Sequence, residues 1–282
     1  MGREISIRNS RLFKHPLTIS EIIGDEDWNF GTIDSTGCIV SEIKEEGWLT
    51  IFDPSGIGRG IQVLNIDSKE AISLLLPVPA TESDVRLLYT VAQRIAGLWK
   101  SKSIKVEEDV VNLADIGRYI EYDLEMNRNL LGDAVAVFKS EWVRLFCATL
   151  PIEVPTAHLE SFGDDYQGFG EFLHDKQKLY PFYSYALYWT YNEAKCAHYL
   201  VIDDYTILPK EPNMHYDSEG KQFTCAKAFV VATDLFPDEQ ISRVEYNEFL
   251  CRIPDDRKSE FDMNHIMISP LSKDELRHIF KE

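Results

Sequence analysis

Three glycines and an arginine in Ser55-Gly56-Ile57-Gly58-Arg59-Gly60 come nearest, of any stretch in the chain, to phosphate chemistry. Glycines let backbone N–H groups approach an anion closely, and an arginine adds a charged fork. The spacing argues against that use. A dinucleotide fingerprint opens a helix with G-x-G-x-x-G, and a P-loop places Lys and then Ser or Thr after its last glycine. Here the third glycine comes one residue early, and a β-type run from Gly60 to Ile66 follows. A glycine-rich hairpin turn is expected, with Gly56, Gly58 and Arg59 as the binding candidates it offers.

Cys196-Ala197-His198 is the second candidate. On a strand, Cys196 and His198 share a face, so a thiolate paired with an imidazole, or half a metal site, is geometrically possible. A cysteine nucleophile needs a base oriented by a third group, and a metal needs three or four ligands. A buried cysteine and a hydrogen-bonded histidine inside a sheet are the simpler expectation. The seven histidines never form H-x-x-x-H, and no G-x-S-x-G elbow occurs. Asp164-Asp165, Asp203-Asp204 and Asp255-Asp256 lack EF-hand spacing, and an acidic surface produces such pairs by chance. No catalytic residue, metal ligand or cofactor is therefore expected. The aromatic run Tyr180, Phe182, Tyr183, Tyr185, Tyr188, Trp189 and Tyr191 offers a stacking platform, but base stacking goes with a basic groove and this region supplies few bases. Cross-strand pairing inside a sheet is the expected role, with an edge-on peptide or protein interface as its functional alternative.

The elements that must position these residues follow from periodicity. Glu4 to Arg8 alternates as a strand, and Thr18 to Ile23 reads as a short helix. Trp48 to Phe52 and Gly60 to Ile66 flank the glycine stretch as a hairpin, and Ala71 to Leu76 is a further strand ended by Pro77 and Pro79. Thr81 with Asp84 makes a helix start, and Val85, Leu88, Ala92, Ile95 and Trp99 supply one apolar face. Ile104 to Val106 reads as a return strand. A second helix runs from Asn112 to about Leu131, Ala134 to Phe138 is short helix or strand, and Trp142 to Leu150 is β-rich and closed by Pro151 and Pro155. Pro155 to Lys178, with Gly163, Gly168 and Gly170, reads as a mobile loop or domain boundary. Strands then dominate: a hairpin through Asn192 to Lys195, a β run from Phe223 to Thr233, a short helix near Arg243 to Leu250, and Ile266 to Ile268 before a helix started by Ser272 and Glu275. The fold class is α+β: a mixed N-terminal αβ portion, a helical middle and a strand-rich C-terminal portion ending in a helix. A boundary is placed between residues 1–108 and 109–282.

Charge narrows the function. The 282 residues carry 47 acidic and 29 basic side chains, a formal net of −18. Residues 1–103 hold 14 acids and 11 bases, a net of −3, which leaves −15 for the rest. That acid repels phosphate backbones and anionic lipid, so neither nucleic acid nor membrane is expected as partner, and a basic protein is. The five widely spaced cysteines, Cys38, Cys147, Cys196, Cys225 and Cys251, fit reduced, mostly buried thiols. With no signal-like N-terminal run and no 18-residue apolar stretch, a cytoplasmic location is expected.

Several blocks together resemble an uncharacterised bacterial domain-of-unknown-function family of similar length. They are Ser55 to Ile61, Leu76-Pro77-Val78-Pro79-Ala80-Thr81, Ile104-Lys105-Val106-Glu107-Glu108, Tyr246-Asn247-Glu248-Phe249-Leu250 and Ile268 to Leu276. The resemblance implies a bacterial, intracellular protein and brings no activity, cofactor or site with it. Two functions remain: a non-enzymatic protein-interaction module of regulatory or immunity-like kind, or an enzyme, hydrolytic or nucleotide-handling, with its site near the Gly56–Gly60 loop or His198.

Overall fold

Alternating apolar residues near the start of the chain pair into one sheet. In the computed structural model, which describes residues 2–41, 47–191, 194–216, 221–232 and 243–281, the contacts divide the chain into Met1–Lys178 and Leu179–Glu282. The first unit begins with β1 (Gly2–Arg8), α1 (Ile19–Ile23), β2 (Asn29–Ile33), β3 (Ile39–Val40), β4 (Trp48–Phe52), β5 (Ile61–Leu64), β6 (Ala71–Pro77), α2 (Glu82–Leu98), β7 (Ser103–Val106) and β8 (Asp109–Asn112). Its eight strands form an antiparallel sheet in the order β3-β2-β4-β5-β6-β1-β7-β8. Register places Ile5 opposite Leu74 and Val106, Ile7 opposite Ile72, and Val63 opposite Leu74, so period-two alternation puts these apolar residues on one face. Helix α2 covers that face. Thr81 and Asp84 close the expected capping box, and Val85, Leu88, Ala92, Ile95 and Trp99 are all fully buried. Each large member of that stripe contributes roughly 1.5–3 kcal/mol relative to an exposed position.

The remaining elements of this unit are α3 (Ile116–Gly132), α4 (Ala134–Phe138), β9 (Trp142–Phe146), β10 (Pro151–Pro155), α5 (Thr156–Ser161) and α6 (Tyr166–Gln177). Residues 134–138 are thus helical. β9 and β10 pair as a two-stranded sheet, and Pro151 and Pro155 sit at the two ends of β10 rather than beyond it. End positions tolerate the missing N–H. The buried carboxylate of Asp123 on α3 accepts from Arg3 Nε at 2.8 Å and from the Tyr89 hydroxyl at 2.7 Å, joining β1, α2 and α3.

The structure departs from the sequence pattern at two places. The stretch from Pro155 to Lys178 is two helices, not a loop. One of the glycines that suggested a loop serves close packing: a Cβ on Gly163 would lie 2.5 Å from the Cα of Gly132, so the glycine lets the backbones touch. The position between residues 108 and 109 falls in the turn of the β7–β8 hairpin, inside one sheet, where Val106 pairs with Asp109. The chain divides instead after Lys178, at the end of the Pro155–Lys178 segment for which a domain boundary is the alternative to a loop.

The second unit is strand-rich: β11 (Phe182–Tyr183), β12 (Leu187–Tyr191), β13 (Ala194–Leu200), β14 (Thr206–Pro209), β15 (Met214–Tyr216), β16 (Gln222–Thr224), β17 (Lys227–Val231), β18 (Val244–Glu245), α7 (Tyr246–Arg252), β19 (Lys258–Glu260), β20 (His265–Ile268) and α8 (Lys273–Lys281). Two four-stranded sheets run β12-β13-β17-β18 and β11-β14-β20-β19, and β15 pairs with β16. β13 and β17 are parallel, whereas β12 and β13 form the expected antiparallel hairpin. Asn192 and Glu193 of its turn, and Thr233 at the end of the expected β run, lie outside the described residues. Ala197, Tyr199, Ala228, Val230, Tyr246, Phe249, Leu276, Ile279 and Phe280 make the core. Ser272 and Glu275 cap α8 reciprocally, as its sequence requires.

Candidate functional site

The glycine stretch lies over the N-terminus of α2, and its polar groups meet partners from the chain itself. Asp84 Oδ2 accepts from Arg59 N at 2.9 Å, from Thr81 N at 3.1 Å and from Thr81 Oγ1 at 2.8 Å, and Oδ1 accepts from Gly60 N at 2.9 Å. The position a phosphate oxygen would need is filled by this carboxylate. Gly58 is dictated by the approach: a Cβ there would sit 2.2 Å from Asp84 Oδ2. On the other side, Gln177 Nε2 donates to Gly58 O at 2.9 Å while its Oε1 accepts from Thr149 N at 2.9 Å, and His174 Nδ1 accepts from Ile57 N at 3.1 Å.

Arg59 is buried, its Nε donating to Phe146 O at 3.1 Å and its Nη1 to Pro79 O at 3.4 Å. Burial lowers its pKa, opposed by the nearby Cys147 and Asp84. Burial also pushes the Cys147 thiol up to about 12, so it is no thiolate nucleophile at neutral pH. Gly58 and Arg59 therefore stand together in a clamp that ties the β4–β5 hairpin to α2 and α6, whereas the Gly56 N–H bonds within its own turn to Asp53 O. Asp84 and Gln177 are the residues that close it. Asp84 was legible only as a helix cap, and nothing in the sequence links Gln177 to a loop 119 residues away.

Cys196 and His198 do share one face of β13. The register sets Trp189 opposite Cys196, Leu187 opposite His198, and Phe229 of β17 opposite His198. Cys196 Sγ reaches its own neighbour Ala194 O at 3.8 Å. The His198 ring sits edge-on to Trp189, centroids 4.5 Å apart, and stacks on Phe229 at 5.3 Å. Burial, reinforced by the positive charge of Arg243, lowers the His198 pKa. Arg243 lies over Phe229 at 4.5 Å and Tyr191 at 5.4 Å. The opposite face of the hairpin gathers Tyr188, His215 and Phe223, with Lys195 Nζ 3.8 Å from the Phe223 centroid.

This aromatic framework carries a surface. Among the described residues β12 is an edge strand of its sheet, and all five of its residues, Leu187-Tyr188-Trp189-Thr190-Tyr191, are exposed. Trp189 is 56 % and Tyr191 60 % exposed. The strand has no charge, proline or glycine. Edges of that composition template the addition of another strand, and proteins ordinarily blunt them with lysines, prolines or bulges. Of the aromatic run, Tyr188 packs against His215 of β15 and Phe223 of β16 on one face of the hairpin, whereas Trp189, edge-on to His198, and Tyr191, beneath Arg243, lie on the other, outer face.

Among the described residues, no helix is long and apolar enough to cross a membrane. A family model, Domain of unknown function (DUF4299), matches residues 2–279. No curated protein matches the chain, and no solved structure does.

Proposed function

Because this chain belongs to the DUF4299 family, whose activity is unassigned, we propose its function from its surface: a non-enzymatic protein-interaction module, regulatory or immunity-like, that holds a basic partner by strand addition at β12. The observation that carries this reading is the exposed, uncharged edge of Leu187–Tyr191. Main-chain hydrogen bonds along such an edge give affinity, and alternate side chains give specificity. The net charge of −18 steers a basic partner toward the chain and speeds encounter. The outer aromatic face suits that partner at short range. It already holds one guanidinium, Arg243, over Phe229 and Tyr191, and the exposed Trp189 offers a further π face for a lysine or arginine.

Against the enzyme alternative, the Arg59 and Gly60 N–H groups of the glycine loop are engaged by Asp84 and that of Ile57 by His174, and the His198 ring is packed between Trp189 and Phe229. The test is a titration of the full chain with synthetic ten-residue peptides that share an alternating apolar pattern and differ in charge. Basic peptides bind, with association slowing as salt rises above about 0.15 M. Equal binding of acidic and basic peptides refutes the charge selection. Self-association of the chain through β12 in place of peptide binding refutes the partner.

A further inference from the structure

The two most exposed large apolar side chains among the described residues are neighbours, Leu12 at 90 % and Phe13 at 84 %. They sit at the tip of the segment between β1 and α1, and their exposure is not that of a loose loop. Asn9, itself buried, donates from Nδ2 to Lys69 O at 3.0 Å and accepts from Arg11 N at 3.0 Å through Oδ1. Ser10 N donates to Trp99 O at 3.2 Å, and Ser10 Oγ and Ser101 Oγ lie 3.3 Å apart. Arg11 Nη1 meets His15 Nε2 at 2.7 Å, and Leu17 is buried behind them. The residues that flank Leu12 and Phe13 are therefore held by the loop and the adjoining turns before anything docks.

The surroundings are basic in a chain that is acidic overall. The loop and the two turns bonded to it carry Arg8, Arg11, Lys14, Lys69, Lys100 and Lys102. Acids are fewer there: Glu70 pairs with Lys14, Asp67 lies on the neighbouring turn, and Glu21 is held below the usual carboxylate range by hydrogen bonds from Thr18, with smaller contributions from His15 and Arg11. Net charge therefore misdescribes this end of the molecule. It lies in the first 103 residues, whose net is only −3.

We propose that the Leu12–Phe13 tip and its basic rim are a docking site for an anionic lipid surface. Charge complementarity selects an anionic partner. Shape then favours lipid over an acidic protein: the tip is a two-residue protrusion, and several backbone groups beside it are engaged within the loop or with the adjoining turns. A protein partner needs a matching cavity and an interface on the order of 1,000 Å². The headgroup region accepts a protruding Leu and Phe without a preformed cavity, while lysines and arginines rest on the phosphates.

The experiment is co-sedimentation of the full chain with vesicles of phosphatidylglycerol, against vesicles of phosphatidylcholine. The chain partitions onto phosphatidylglycerol at low salt, releases as salt rises, and ignores phosphatidylcholine. Leu12→Ser and Phe13→Ser each reduce partitioning roughly tenfold or more, since each removes a large buried apolar side chain from the bound state. Lys100→Glu and Lys102→Glu weaken it by a smaller factor. Because both tip side chains are solvated, the serine variants keep the wild-type melting temperature, which separates loss of docking from loss of fold. A Phe13→Trp variant, read by its fluorescence, shifts to shorter wavelength on phosphatidylglycerol alone. Absence of wild-type partitioning at low salt overturns the proposal, as does unchanged partitioning of the serine variants. Self-association in the ultracentrifuge that is lost in those variants assigns the tip to a second copy and overturns it too.

Discussion

Replacing Asp84 with alanine tests whether the glycine stretch is an internal clamp. The carboxylate accepts four hydrogen bonds, three from the backbone N–H groups of Arg59, Gly60 and Thr81 and one from the Thr81 hydroxyl. Arg59 and Thr81 are buried residues, as is Asp84 itself. An orphaned buried donor costs about 1–3 kcal/mol. Three backbone donors left without partners, partly relieved by water entering the vacated space, destabilise the first unit by about 3–6 kcal/mol. For a unit of this size that lowers Tm by about 10–20 °C. Denaturant unfolding of the full chain provides the assay, with a fall in midpoint at unchanged slope as the signature of lost stability. A second arm adds inorganic phosphate. The wild type gains nothing from it, because Asp84 occupies the donors, whereas Asp84→Ala regains part of its loss as phosphate binds the freed N–H groups. A loss below about 1 kcal/mol, or equal stabilisation of the wild type by phosphate, refutes the clamp.

Other consequences follow from the same geometry. Gly58→Ala drives a methyl into Asp84 and destabilises severely, while Gly56→Ala meets only Ser83 Oγ at 3.2 Å and is tolerated; paired thermal melts decide this. Arg59→Ala leaves two carbonyls without their donor and costs about 2–4 kcal/mol, where a solvent-facing turn arginine would lose no more than about 0.5 kcal/mol. His198 and His215 are both held below the ordinary histidine range, first by burial and then by Arg243 and Lys195 respectively. The unfolded chain thus binds their protons more readily than the folded one. Stability of the second unit is full above about pH 6.5 and falls as pH drops below it, and His198→Phe flattens that dependence in denaturant midpoints taken across the range.

Local chemistry was the legible part of this chain. The Thr81–Asp84 box and the stripe from Val85 to Trp99 declare α2 within one segment. The alternation of Leu187, Trp189 and Tyr191 against Cys196 and His198 declares the β12–β13 hairpin, because register follows from period-two patterning. What failed depended on distant partners. Gly163 reads as a loop breaker until Gly132 is set against it. Arg59 reads as a surface turn residue until Phe146, Pro79 and Asp84 surround it. The exposure of β12 was legible only as an alternative, since an aromatic strand inside a sheet and one at its edge carry the same residues. Leu12 and Phe13 left one signal, an apolar pair set between Arg11 and Lys14 in a stretch with no helical or strand period.

Backbone amide exchange of Leu187–Tyr191, with and without a basic alternating peptide, shows whether β12 takes up a further strand. In an edge strand, alternate N–H groups point away from the sheet and exchange freely. With strand addition at β12, the peptide slows exchange at about every second amide of β12 and leaves β18, at the other edge of the sheet, unchanged. A peptide that binds while every β12 amide exchanges at its original rate contradicts strand addition.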